Sequence, residues 1–210
     1  MRNDPGAIAA LSEIPVVRAS SLEAPSAGGS WSLDSLVGIL SELSEEHPCG
    51  ALSFCAEIIQ EAQERGEPVA WVASTDSVFF PPDFAARGID LRALAVIRAG
   101  GQAESLTAGE WLVKSGAVGL LVVDCGGEWT VSDSALGRLQ KLAERSQCAV
   151  LFLTRKPRSA PSLGSRIAVR GCVAPAGSRP LLVDIHTDRD KRAAAGPRIH
   201  RCYHAPPGMR

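Results

Sequence analysis

The sequence predicts an α/β fold in which a mostly parallel central sheet is flanked by helices on both faces. Three observations predict it. Short apolar runs, Val69-Ala-Trp-Val-Ala73, Leu94-Ala-Val-Ile97, Leu120-Leu-Val-Val-Asp124 and Ala149-Val-Leu-Phe-Leu-Thr154, read as strands buried on both faces. Between them lie helical stretches of about 10–15 residues, the alternation that builds a parallel sheet. A chain of 210 residues with 45% hydrophobic content can bury one good core, so the expectation is one domain with tails.

Residues 1–30 mix Pro, Ser, Gly and Ala and read as a loosely ordered arm around one apolar patch, Ile14-Pro-Val-Val17. Ser32 then opens a helix predicted to reach about Glu46, with Leu33, Leu36, Val37, Leu40 and Leu43 at spacings of three and four. After Pro48, residues Gly50–Phe54 are a short strand candidate, and Ala56–Arg65 is a helix that Gly66 ends. Prolines at its entry mark a short helix over Pro81–Gly88, and further helices are expected over Ala103–Ser115 and Ser132–Ser146. Arg166–Val173 and Leu181–His186 read as strands, with Arg198–Tyr203 as a final edge strand of a hairpin. The organisation expected is an arm (1–30), a core (31–178) and a basic C-terminal hairpin and tail that completes the sheet (179–210).

The net charge of −1 hides a polarity. Residues 1–150 carry 10 Lys+Arg against 20 Asp+Glu, and residues 151–210 carry 12 against 3. A basic tail is the electrostatic footprint of nucleic acid or of an acidic protein partner; the plainer alternative is a surface that folds back on the acidic part. The basic candidates are Lys156, Arg158 and Arg166 around a loop, then Arg179, Arg189, Lys191, Arg192, Arg198, Arg201 and Arg210. Few aromatics interleave with them, which argues against base stacking and favours a protein partner over DNA.

Six cysteines, Cys49, Cys55, Cys125, Cys148, Cys172 and Cys202, form no C-x-x-C pair and read as buried thiols. His200, Cys202 and His204 alternate as on one strand face, but without a fourth partner they make a weak zinc motif, and neither a metal nor a cofactor is expected. Trp31, Trp111 and Trp129 read as core residues, with interface hot spots as the alternative. No apolar run suits a membrane span and no basic start leads into a signal core, so a cytoplasmic protein is expected.

The stretch Ser115–Asp124, an apolar run ending in an acid, has the form of a Walker B strand. A triphosphate site also needs glycine-rich backbone amides, a lysine that reaches the phosphates and a hydroxyl for magnesium. Where that loop belongs the chain has His47-Pro-Cys-Gly-Ala-Leu-Ser-Phe54, and no Lys or Arg occurs between Arg18 and Arg65. The scaffold reads as ATPase-like, without the residues for phosphate chemistry.

The order of elements resembles the RecA-like fold. The strings Gly66-Glu-Pro-Val-Ala-Trp-Val72, Ala86-Arg-Gly-Ile-Asp-Leu-Arg-Ala-Leu94 and Ser115-Gly-Ala-Val-Gly-Leu-Leu-Val-Val-Asp124 resemble most the ImuA family, RecA-like accessory proteins of bacterial mutagenic DNA repair. The similarity covers residues 29–204 and leaves out the arm. It implies a truncated RecA-like core and a non-catalytic role in translesion synthesis after DNA damage. The implied partners are an ImuB-type homologue of the Y-family polymerases, an error-prone C-family polymerase reached indirectly, and RecA. With them goes an association with the nucleoid during DNA damage.

Carried over residue by residue, the resemblance puts the Walker A lysine and threonine on Ala51 and Leu52, after Gly50, or deletes the loop between Phe54 and Ala56. The water-activating glutamate falls on Thr75, with Asp76 beside it, the Walker B acid on Asp124, and the nucleotide-sensing residue on Arg155. Asp124 is read as a helix-capping or turn acid at a strand end. Three further readings stay open: an ATPase with an irregular loop, a weak single-stranded-DNA module led by the basic region, and an SOS cell-division inhibitor of the same fold.

Overall fold

A computed structural model describes residues 31–77, 79–127, 129–177, 181–192 and 198–204. The expectations for the arm 1–30 and for Arg179 and Arg210 lie outside the described residues. The elements are α1 (Leu33–Leu36), β1 (Leu40–Glu45), α2 (Ala51–Glu64), β2 (Val69–Ala73), α3 (Pro81–Ala86), a 3-10 turn (Leu91–Ala93), β3 (Leu94–Arg98) and α4 (Gln102–Ser115). There follow β4 (Leu120–Asp124), α5 (Asp133–Ser146), β5 (Ala149–Arg155), β6 (Val169–Gly177), β7 (Leu181–Asp190) and β8 (Ile199–Tyr203).

All eight strands form one sheet in the order β3-β2-β4-β5-β1-β6-β7-β8. Every pairing from β3 across to β6 is parallel, while β7 runs antiparallel to both β6 and β8. Alternate strand residues enter two cores, because successive side chains leave a strand on opposite faces. Val69 and Trp71 join α1, α2 and α3 on one face; Ala70 and Val72 join α4 and α5 on the other. On the first face Trp71, Phe79 and Phe84 pack with ring centroids 4.7–5.3 Å apart.

The expected helix over Ser32–Glu46 is corrected: it lasts one turn, and its second half is β1. The leucine spacing suits a helix face, but Gly38 takes φ +73° and its N–H donates to the Cys148 carbonyl, so the chain turns into the sheet. As a strand between β5 and β6, β1 buries all six of its residues, including Ser41, Glu42, Ser44 and Glu45. The Ser41 hydroxyl donates to the Val150 carbonyl at 2.9 Å and Ser44 to that of Gly171 at 3.1 Å, satisfying what burial takes from water.

The strand expected over Gly50–Phe54 is also corrected, since Ala51 already begins α2. Phe54, Cys55, Ile58, Ile59 and Ala62 are its buried stripe, continuous from first turn to last. Downstream, β6 starts three residues later than expected, at Val169, and β7 runs on to Asp190. The C-terminal strands share the core: Val183, Ile185 and Tyr203 are buried against α2 and its neighbours. Trp31 is buried as expected, its indole N–H donating to the Thr187 hydroxyl at 3.0 Å, and Trp129 is partly buried. Trp111 departs from the expectation and is 72% exposed on the outer side of α4.

The carboxyl end of the sheet as candidate functional site

In open α/β sheets ligands bind outside the carboxyl ends of the strands. Here β1, β4 and β5 end in Glu45, Asp124 and Arg155, and these residues line one cavity with Ala51, Leu52 and Thr154. Its volume is about 20 Å³. That is room for one water, against the few hundred Å³ of an ordinary ligand pocket.

The turn from β1 into α2 holds the principal feature. Its position, strand then turn then helix, is that of a phosphate-binding loop. The first N–H groups of a helix have no partner within the helix and carry the positive end of its dipole, so they collect anions. The anion collected here is Glu45. Its Oε2 accepts from the backbone N–H of Cys49 at 2.9 Å, Gly50 at 3.2 Å and Ala51 at 3.0 Å, and the residue is 7% exposed. Gly50 makes the turn possible, with φ +140° and no room for a side chain, since a Cβ would stand 2.9 Å from Val183 Cγ1. Burial, with the Glu45 carboxylate adding to it, pushes the neighbouring Cys49 thiol up to about 12.

The turn at 46–50 puts Ala51 and Leu52 at the start of α2. Phe54–Ala56 lies inside the same helix. Ala51 donates its N–H to Glu45 and Leu52 lines the cavity; neither side chain can hold a phosphate or a magnesium ion.

Asp124 is buried at the end of β4. Its Oδ2 accepts from the Ser77 hydroxyl at 2.5 Å and its Oδ1 from the Gly126 N–H at 3.1 Å, so the carboxylate closes the turn and ties down the loop after β2. Thr75 and Asp76 are exposed in that loop and are not among the residues lining the cavity. Arg155 lines the cavity and is half-buried.

On the opposite face of β1 the second acid, Glu42, is fully buried. Its carboxylate pairs with Lys156 Nζ at 2.5 Å, accepts from the Thr154 hydroxyl at 3.0 Å and from the Leu163 N–H at 2.9 Å. Lys156 also donates to the Pro161 carbonyl at 2.6 Å, so one ion pair ties the start of the loop between β5 and β6 to its middle. Two β1 carboxylates thus brace the two loops at this end of the sheet.

Among the described residues the basic candidates are spread over several surfaces, and each of them has an acceptor within the chain. Arg158 meets Asp188 at 2.6 Å, Arg166 meets Asp133 at 3.2 Å, Arg192 meets Asp190 at 3.5 Å, Arg198 meets Asp184 at 3.3 Å and Arg201 meets Glu57 at 2.9 Å. Arg189 reaches the Ser162 hydroxyl at 3.5 Å and Lys191 the Ser165 carbonyl. A bulge in β7 at Asp188 helps, because Arg170 faces Arg189 while Gly171 faces Thr187. Three of the five ion pairs stay within residues 151–210, using its three acids, and two reach the acidic part of the chain, Arg166 to Asp133 and Arg201 to Glu57. On β8, His200 turns its ring to Asp184 at 2.6 Å and Cys202 is exposed, which corrects its reading as a buried thiol.

Glu42 and Glu45, the residues that organise this end, were not singled out by sequence reasoning. Their signal was present, two acids flanking a Leu-Ser pair just before Pro-Cys-Gly, but a helical reading places such acids in solvent. Among the described residues no helix is long and apolar enough to cross a membrane. Compared with protein-family models and with curated proteins, the chain matches none.

Proposed function

We propose that the chain is a non-catalytic, RecA-like accessory factor of DNA-damage tolerance and mutagenic translesion synthesis. It bridges an ImuB-type partner, and through it an error-prone polymerase, and it binds and restrains RecA. The single observation that carries the non-catalytic half is the Glu45 carboxylate on the N–H groups that begin α2. A triphosphate entering there would meet a negative charge and a cavity of about 20 Å³. The parallel α/β sheet, the strand–turn–helix at 45–51 and an acid-ended β4 one strand removed from β1 support the RecA-like reading. The partner assignments rest on the sequence resemblance, and the paired state of the basic residues supports a protein partner over a polyanion.

Binding of the immobilised full chain to RecA, free and assembled on single-stranded DNA, tests the reading. Saturable binding to either form is expected. No binding to either form overturns the RecA assignment. Truncation before β7 is unsuitable as a control, because Val183 and Ile185 belong to the core; charge reversals on the full chain take its place.

A further inference from the structure

The α4–α5 face carries a cluster of residues that neither the sheet nor the loops employ. Trp111 is 72% exposed, while Trp71 and Trp31 are 0% and 4% exposed. Lys114 lies one helical turn on, with its Nζ 6.0 Å from the indole centroid. Across the helix pair, Arg138 Nη2 meets Glu110 at 3.0 Å and brings the exposed stripe Arg138, Lys141 and Arg145 of α5 beside them. Lys114, Lys141 and Arg145 have no ion-pair partner among the described residues. The patch holds four cations against Glu110 and, at its edge, Glu144, in a chain whose net charge is −1.

A helix dipole accounts for Lys114 and Arg145, each in the last turn of its helix. It does not account for an indole left in water. Trp and Arg are the residues that dominate protein interfaces, and a cation over the ring strengthens the contact once a partner excludes water. Single-stranded nucleic acid asks instead for a groove and successive aromatic platforms, and this is a helix-pair surface with one.

We propose that the α4–α5 face is a docking surface for an acidic segment of a partner protein that carries an apolar anchor. Trp111 receives the anchor, and Lys114, Arg138, Lys141 and Arg145 frame the acids. The proposal deepens the interaction-protein reading by giving it a surface and a partner chemistry.

The probe is a fluorescein-labelled peptide of Asp and Glu around a Leu-Phe pair, followed by anisotropy against the full chain, with labelled oligothymidylate as the comparison. Binding to the peptide is expected, weakened at least about tenfold by Trp111→Ala and by the double change Lys141→Glu with Arg145→Glu. Arg198→Glu, just ahead of β8, leaves it unchanged. All these positions are exposed, and circular dichroism checks that the fold persists. No peptide binding, binding indifferent to Trp111→Ala, or tighter binding of oligothymidylate lost in the same variants overturns the proposal. Peptide failure with RecA binding intact removes this surface and leaves the accessory role; RecA failure with peptide binding intact does the reverse.

Discussion

The Glu45 carboxylate accepts the backbone N–H of Ala51 at 3.0 Å, so the last residue of β1 caps the first residue of α2 across the turn between them. The same oxygen holds the N–H groups of Cys49 and Gly50, which makes the contact a miniature anion site whose anion is part of the chain.

Glu45→Ala leaves the buried Ala51 N–H and the half-buried Cys49 and Gly50 N–H groups without this acceptor. A loss of about 2–3 kcal/mol is expected in urea unfolding, with Glu45→Gln costing less because an amide oxygen still accepts. Equal losses in the two variants would contradict the role given to the acceptor.

Lys156→Met strips the counter-charge from Glu42, which is fully buried. An uncompensated buried carboxylate costs about 3–5 kcal/mol. Adding Glu42→Gln should return part of it, since the amide still accepts from the Leu163 N–H. A double variant no more stable than Lys156→Met would argue that the ion pair is incidental.

Alkaline pH should destabilise the fold. Burial is the chief cause that holds the Cys49 and Cys148 thiols up to about 12, against about 8.5 for a free cysteine. An acid whose pKa is raised on folding keeps its proton longer in the native state. Its contribution is therefore complete below the unfolded pKa and is lost as pH rises towards the folded one. Denaturation midpoints should fall from about pH 9 upwards, and in alkylation followed by mass spectrometry the exposed Cys202 should react first.

Gly171→Ala drives a methyl group into the buried Trp31 ring, which β6 and Thr187 hold in place. A loss of about 2 kcal/mol or more is expected, from overpacking rather than backbone strain. Trp31→Phe in the same background should recover some of it, measured as a shift in Tm.

The parallel sheet was legible because its inner strands are apolar on both faces, as Val69–Ala73 and Leu120–Asp124 show. β1 was not. Its polar residues are satisfied by strand neighbours and loops that are distant in sequence, Val150, Gly171 and Leu163, and no local pattern reveals such partners. That no lysine or hydroxyl side chain directly follows Gly50 could be read from Ala51 and Leu52. What caps the start of α2 could not, because Glu45 acts only once the chain turns at Pro48-Cys-Gly. The basic residues were visible as a bias in composition, and their pairing with Asp133, Asp184, Asp188 and Glu57 became visible only in three dimensions.

On the proposed reading, the Glu45 carboxylate sits where a nucleotide's phosphate would need to lie. Calorimetric titration of the full chain with magnesium–ATP tests it most directly. No saturable heat is predicted up to about 1 mM nucleotide, a level that exposes any affinity above about 4 kcal/mol. Saturable binding in the micromolar range would contradict the account, because it would require Glu45 to leave the amides that now hold it.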